Sequence, residues 1–184
     1  HGDFDAMFAT LFQSYDFTFQ TWNVVDGDFP DTIDAADGWL ISGSKHGAYE
    51  DHAFIPPLSD LIREIYASAR AMVGICFGHQ IIAKALGGRV EKFAGGWAIG
   101  RHDYSFKGHG DVTLNAWHQD QVTVLPPHAQ VLASSPFCQF AALVYGQKAF
   151  TVQPHPEFSN SVFDDYVKAR RSSPVYPAAF MERA

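Results

Sequence analysis

The stretch AMVGICFGHQIIAKALGG, residues 71–88, decides the fold. Its first part, Ala71 to Ile75, is a short apolar run of the kind that forms a strand buried on both faces. Its second part, HQIIAKAL, has helical spacing and meets a helix stop at Gly87-Gly88. Between them lies Gly74-Ile75-Cys76-Phe77-Gly78, where the chain must reverse from strand into helix within one or two residues. Such an elbow strains its central residue and needs small neighbours so that the two elements can approach. A cysteine there also stands at a helix N-terminus, where the macrodipole and free N–H groups favour the thiolate. A buried structural cysteine is the competing reading, because free cysteines are commonly core residues. Glycines on both sides of Cys76 favour the nucleophile.

Upstream, DGWLIS (residues 37–42) is a second apolar run, closed by Gly43. Pro56-Pro57 then open a helix whose Leu58, Leu61, Ile62, Ile65, Tyr66 and Ala69 follow helical periodicity. Strand, helix, strand, helix predicts an α/β fold with a doubly wound, mostly parallel open sheet of flavodoxin-like type. Phe4, Met7, Phe8, Leu11 and Phe12 predict a further helix, and FTFQTWNVV (17–25) reads as a strand. From Val90 to Phe150 the pieces RHDYSF, VTLNA, QVTVL, QVLAS, AALVYG and AFTVQ read as antiparallel strands added to the parallel core. A last helix is expected around Ser159 to Arg170, and the tail RRSSPVYPAAFMERA reads as weakly ordered.

A chain of 184 residues suits one domain, and 47% hydrophobic with 18% charged residues predicts a compact core. The net charge of -7 argues against a nucleic-acid partner, which needs a basic face for phosphates. No apolar run nears the roughly 20 residues that span a bilayer, so no membrane partner is expected. Two cysteines, Cys76 and Cys138, lack zinc-site spacing and fit a reducing, cytoplasmic setting, with Cys138 read as core.

A nucleophilic cysteine needs a base. VQPHPEF (residues 152–158) sets His155 and Glu157 two apart around a rigid proline, and a carboxylate beside an imidazole can fix its tautomer and stabilise the imidazolium. Read alone, the HPE stretch also fits a polar turn.

GICFGHQ together with a downstream HPE resembles the class I glutamine amidotransferases, over nearly the whole chain. The resemblance implies that Cys76 is the nucleophile, His155 the general base and acid, and Glu157 its orienter. It also implies an oxyanion hole from the backbone N–H groups of Gly43, in ISGSKHGAYED, and of Phe77; an ordinary strand-end turn is the other reading of SGS. Gln80, from the same motif, would hold the substrate's amino-acid end. WHQDQV (117–122) resembles an element of the branch containing the GMP synthetase glutaminase domain, making His118 and Asp120 substrate-pocket or loop-positioning groups. A core Trp117 beside a surface His118 is the alternative. GGWAIG (95–100) looks like a segment of stand-alone members, near the pocket. Two departures stand out: the family opens with a central strand, expected here before His1, and the region after Arg170 is short.

The implied reaction is attack of Cys76 on the side-chain amide of glutamine, release of ammonia, and hydrolysis of a γ-glutamyl thioester. No metal or cofactor is expected. Either a separate synthase subunit takes up the ammonia or the enzyme is a free-standing hydrolase. The alternatives are a stand-alone γ-glutamyl peptidase acting on γ-glutamyl conjugates, and a catalytically idle binding module. His1, His46, His52, His79, His102, His109 and His128 show no ligand spacing and read as polar or surface residues.

Overall fold

The computed structural model describes residues 4–176, so His1 and the tail from residue 177 lie outside the described residues. The elbow stretch folds as read: strand β2 (Ala71–Ile75) runs directly into helix α3 (Phe77–Ala85). Gly87, at φ +97, follows the helix, and the N–H groups of Gly87 and Gly88 cap the carbonyls of Lys84 and Ala83.

Strand β1 (Gly38–Ile41) pairs in parallel with β2 and is linked to it by helix α2 (Ile55–Ser68). The prolines of α2 sit in its first turn, where a missing N–H costs nothing, and its buried stripe is Ile55, Leu58, Ser59, Ile62 and Ile65. On the other side of β2 lies β9 (Ala149–Val152), with Met72 opposite Ala149 and Ile75 opposite Val152. AFTVQ, expected among the antiparallel strands, is therefore a member of the parallel core. Its Ala149, Thr151 and Val152 are buried, while Phe150 is exposed.

Strands β8 (Ala142–Tyr145), β7 (Gln130–Ser134), β4 (Ala98–Phe106) and β5 (Gly110–His118) continue the sheet by antiparallel pairing, giving the order β1-β2-β9-β8-β7-β4-β5. A small separate ladder joins β3 (Arg89–Lys92) to β6 (Asp120–Val124). Helices α2 and α3 bury Ile62, Ile65, Ile81 and Ile82 against one face of the parallel core. Helix α1 (Phe4–Leu11) places Phe8 with Ile75, Cys76 and Val152, and α4 (Asn160–Arg170), capped by Ser159, packs Val162 and Phe163 against Trp117.

FTFQTWNVV forms no strand. Phe17 and Phe19 are exposed, Phe17 meeting Phe12 edge-on and Phe19 stacking with it, Trp22 rests on Trp39 of β1, and Val24–Asp26 make a single 3-10 turn. Alternating aromatics can clothe a strand, but a strand also needs a neighbouring edge to accept its backbone hydrogen bonds. Among the described residues, no such partner takes residues 17–23.

Candidate active site

Parallel pairing brings the carboxyl ends of β1, β9 and β2 side by side, the usual place for sites on open α/β sheets. Gly43 follows β1, Cys76 follows β2, and the loop carrying His155 and Glu157 follows β9.

At the elbow Cys76 takes φ +53 and ψ −103, a strained conformation for a residue with a Cβ, worth on the order of 1–3 kcal/mol. Packing holds it there: its N–H donates to Val152 O at 2.9 Å. The flanking glycines are required by space. A Cβ on Gly78 would stand 2.0 Å from the backbone oxygen of Ile41, and one on Gly74 would stand 2.6 Å from Ile82 Cδ1 and 2.7 Å from the Gly78 backbone. Cys76 is 7% exposed, and its sulfur lies 3.6 Å from Gln153 Nε2 and 4.0 Å from Trp117 O.

The His155 backbone N–H donates to Asn115 O at 2.8 Å, anchoring the loop to β5. Its Nδ1 bonds Glu157 Oε1 at 2.7 Å, both side chains being buried, and the Phe158 ring stacks on the imidazole at 4.1 Å and 9°. With Nδ1 committed to the carboxylate, Nε2 is the nitrogen left for the sulfur. Burial by itself would lower the His155 pKa, but the Cys76 sulfur and then Glu157 outweigh it, so the imidazolium is favoured. Gly43 touches the same ring, since a Cβ there would meet His155 Cε1 and Phe4 Cζ at 3.1 Å each.

Phe77 is the first residue of α3, where an N–H has no acceptor within the helix. The N–H groups that follow are engaged, Gly78 with Ser42 O and Gln80 with Cys76 O, each at 3.1 Å. The backbone of Phe77 and that of Gly43 thus flank the sulfur and imidazole.

Gln80 lies inside the fold. It is 3% exposed, and its Nε2 donates to Asp120 O at 2.8 Å and to Gln153 Oε1 at 3.1 Å, so the amide ties α3 to β6 and to the loop after β9. Both amide hydrogens of Gln80 are engaged within the fold. The Asp120 carboxylate accepts from Tyr49 Oη at 3.2 Å. His118 is 4% exposed beside His155 and Phe137; its nitrogens have no side-chain partner among the described residues, and burial pushes its pKa down to about 3. Trp117 is core, packed on Phe163 and Tyr166, and Trp97 of GGWAIG rests on Tyr176.

Sequence reading missed Gln153, Asn115 and Phe158. Only Gln153 carried a signal, as a polar residue closing an apolar strand two positions before His155. A cavity of about 340 Å³ is bordered by Arg101, Asn115, His155, Phe158 and Asn160.

Residues 10–171 match the family model for glutamine amidotransferase class I, and the chain belongs to that family of amide-hydrolysing and amide-transferring enzymes. It is 30% identical over 200 residues to gamma-glutamyl peptidase 3 of Arabidopsis thaliana, covering 100% of this chain and 80% of that protein. It is 31% identical over 139 residues to a GMP synthase (glutamine-hydrolyzing) of Ralstonia pickettii, covering 67% of this chain and 25% of that one. A crystal structure of a glutamine amidotransferase from Thermotoga maritima shares the fold, with TM-score 0.80 and 24% identity over 96% of this chain and 83% of that one. Among the described residues no helix is long and apolar enough to cross a membrane.

Proposed function

We propose that this chain hydrolyses the γ-glutamyl amide bond through a triad of Cys76, His155 and Glu157. The observation that carries the reading is an imidazole locked by a buried carboxylate at 2.7 Å and held toward its charged form by the sulfur of a cysteine at a strained elbow. In the first half the Cys76 thiolate attacks the side-chain carbonyl carbon of glutamine. The resulting oxyanion is met by the N–H groups of Gly43 and Phe77. His155 Nε2 then gives its proton to the departing nitrogen, the C–N bond breaks, and ammonia leaves a γ-glutamyl thioester on Cys76. In the second half His155 takes a proton from water, the hydroxide attacks the thioester, and the thiolate returns as glutamate departs. One acid/base group serves both halves, and Glu157 keeps it in a single tautomer.

A γ-glutamyl peptide or conjugate is the second reading of the substrate. It is favoured by the match to a gamma-glutamyl peptidase over the whole of this chain and 80% of that protein, whereas the GMP synthase match covers 67% of this chain. The cavity edged by Arg101 and Asn160 would then receive the leaving amine. If glutamine is the substrate, a separate synthase subunit is the natural consumer of the ammonia.

The test is glutamate release from L-glutamine and from a panel of γ-glutamyl dipeptides, with Cys76→Ala in parallel. Release that vanishes in Cys76→Ala supports the triad, and the preferred substrate identifies the leaving group. Equal release by both proteins contradicts it, and no release by either leaves a binding scaffold.

A further inference from the structure

The loop from Gly43 to Phe54 holds residues that the triad does not use. It brings His46, Glu50 and His52 together with one ligand atom of each within 4.8 Å of the others. We propose that these three side chains form a divalent transition-metal site, of the kind that takes Zn²⁺, on the loop that carries Gly43. Two imidazoles and one carboxylate are a common protein ligand set for zinc where a further position stays open to water.

The loop organises the set. Glu50 Oε2 accepts from Gly47 N–H at 2.9 Å and meets His52 Nε2 at 2.8 Å, so the carboxylate is already turned toward the imidazoles. The His46 and His52 rings lie 4.3 Å apart at 65°, and Phe54 stacks under His52 at 5.6 Å and 12°, a buried platform for the ring. Ligand atoms around one tetrahedral zinc at about 2.1 Å stand roughly 3.4 Å apart, so the observed spacing closes by small side-chain rotations. Glu50 is exposed and both histidines are partly so, which gives an ion a way in.

All three ligands lie within one short loop, so binding closes little new chain and the entropic cost is small. The same loop is tied to β6 through Tyr49 and Asp120, and its first residue, Gly43, touches His155. A bound ion therefore clamps the segment between β1 and α2 in its present shape. This inference stands on the loop alone, whatever the substrate of the Cys76 site.

The test titrates ZnCl₂ into Cys76→Ser protein by calorimetry, the background keeping the elbow thiol out of the count. One equivalent should bind, with a rise in melting temperature that EDTA reverses. Affinity should fall by roughly 100-fold or more in His46→Gln and in His52→Gln, since even outer-shell losses at metal sites cost about 10- to 100-fold. Where a variant fails to fold, Co²⁺ loading of the Cys76→Ser parent decides: visible bands of a nitrogen and oxygen site, with His46 and His52 shielded from diethyl pyrocarbonate, support the assignment. No binding by the parent, unchanged affinity in the variants, or unshielded histidines would overturn it.

Discussion

At Gly78 a single missing methyl group makes the elbow possible. A Cβ there would lie 2.0 Å from a backbone oxygen, which cannot step aside as a side-chain tip can. Gly78→Ala should therefore destabilise the protein by about 2 kcal/mol or more, read as a lower midpoint in urea at unchanged slope. An alanine tolerated without loss would mean that α3 sits farther from β1 than described. The glycines, Cys76, His155 and Glu157 were legible because each states its constraint locally: small residues at a reversal, and a carboxylate two positions from an imidazole. Gln153, Asn115 and Phe158 were not, because their work depends on which distant elements lie beside β9. The His46, Glu50 and His52 grouping was hidden for a related reason, since only the folded loop turns residues at irregular spacing toward one point.

At the scale of elements, Gln80 shows how a motif residue can act through its neighbours. Its amide joins α3 to β6 and to the loop after β9, and removing it leaves Asp120 O and Gln153 Oε1 without a buried donor. Gln80→Ala should cost about 1–3 kcal/mol in stability and lower kcat while leaving KM for a γ-glutamyl substrate nearly unchanged. A rise in KM at constant stability would restore the substrate contact first expected. Elements with their own periodicity, such as α2 and α3, were readable from sequence alone. The parallel role of β9 was not, because direction is set by where the chain returns, and residues 17–23 show that alternation without a partner edge makes no strand.

Over the whole molecule, buried histidines set the pH response. His79 and His118 have pKa values near 3, mainly through burial, so the unfolded chain binds protons that the native one refuses once pH falls below about 6.5. Stability should then fall as pH drops from 6.5 toward 3. His155 works oppositely: its pKa is raised in the fold, so its contribution is fully present below 6.5 and lost as pH rises through the folded value. A maximum near neutral pH follows. Between pH 5 and 6.5, where ordinary carboxylates add little slope, His79→Gln should flatten the decline by up to about 1.4 kcal/mol per pH unit. A slope identical to the parent's would show that His79 protonates without opposing the fold.

The most direct test of the central claim is to trap the acyl-enzyme. Protein mixed briefly with L-glutamine or a γ-glutamyl dipeptide and quenched in acid would be digested and weighed by mass spectrometry, with Glu157→Gln included to slow turnover. We predict one γ-glutamyl group on the peptide containing Cys76 and none on the peptide containing Cys138. Glutamate released with no adduct on Cys76 under any quench, or an adduct on another residue, would contradict the account.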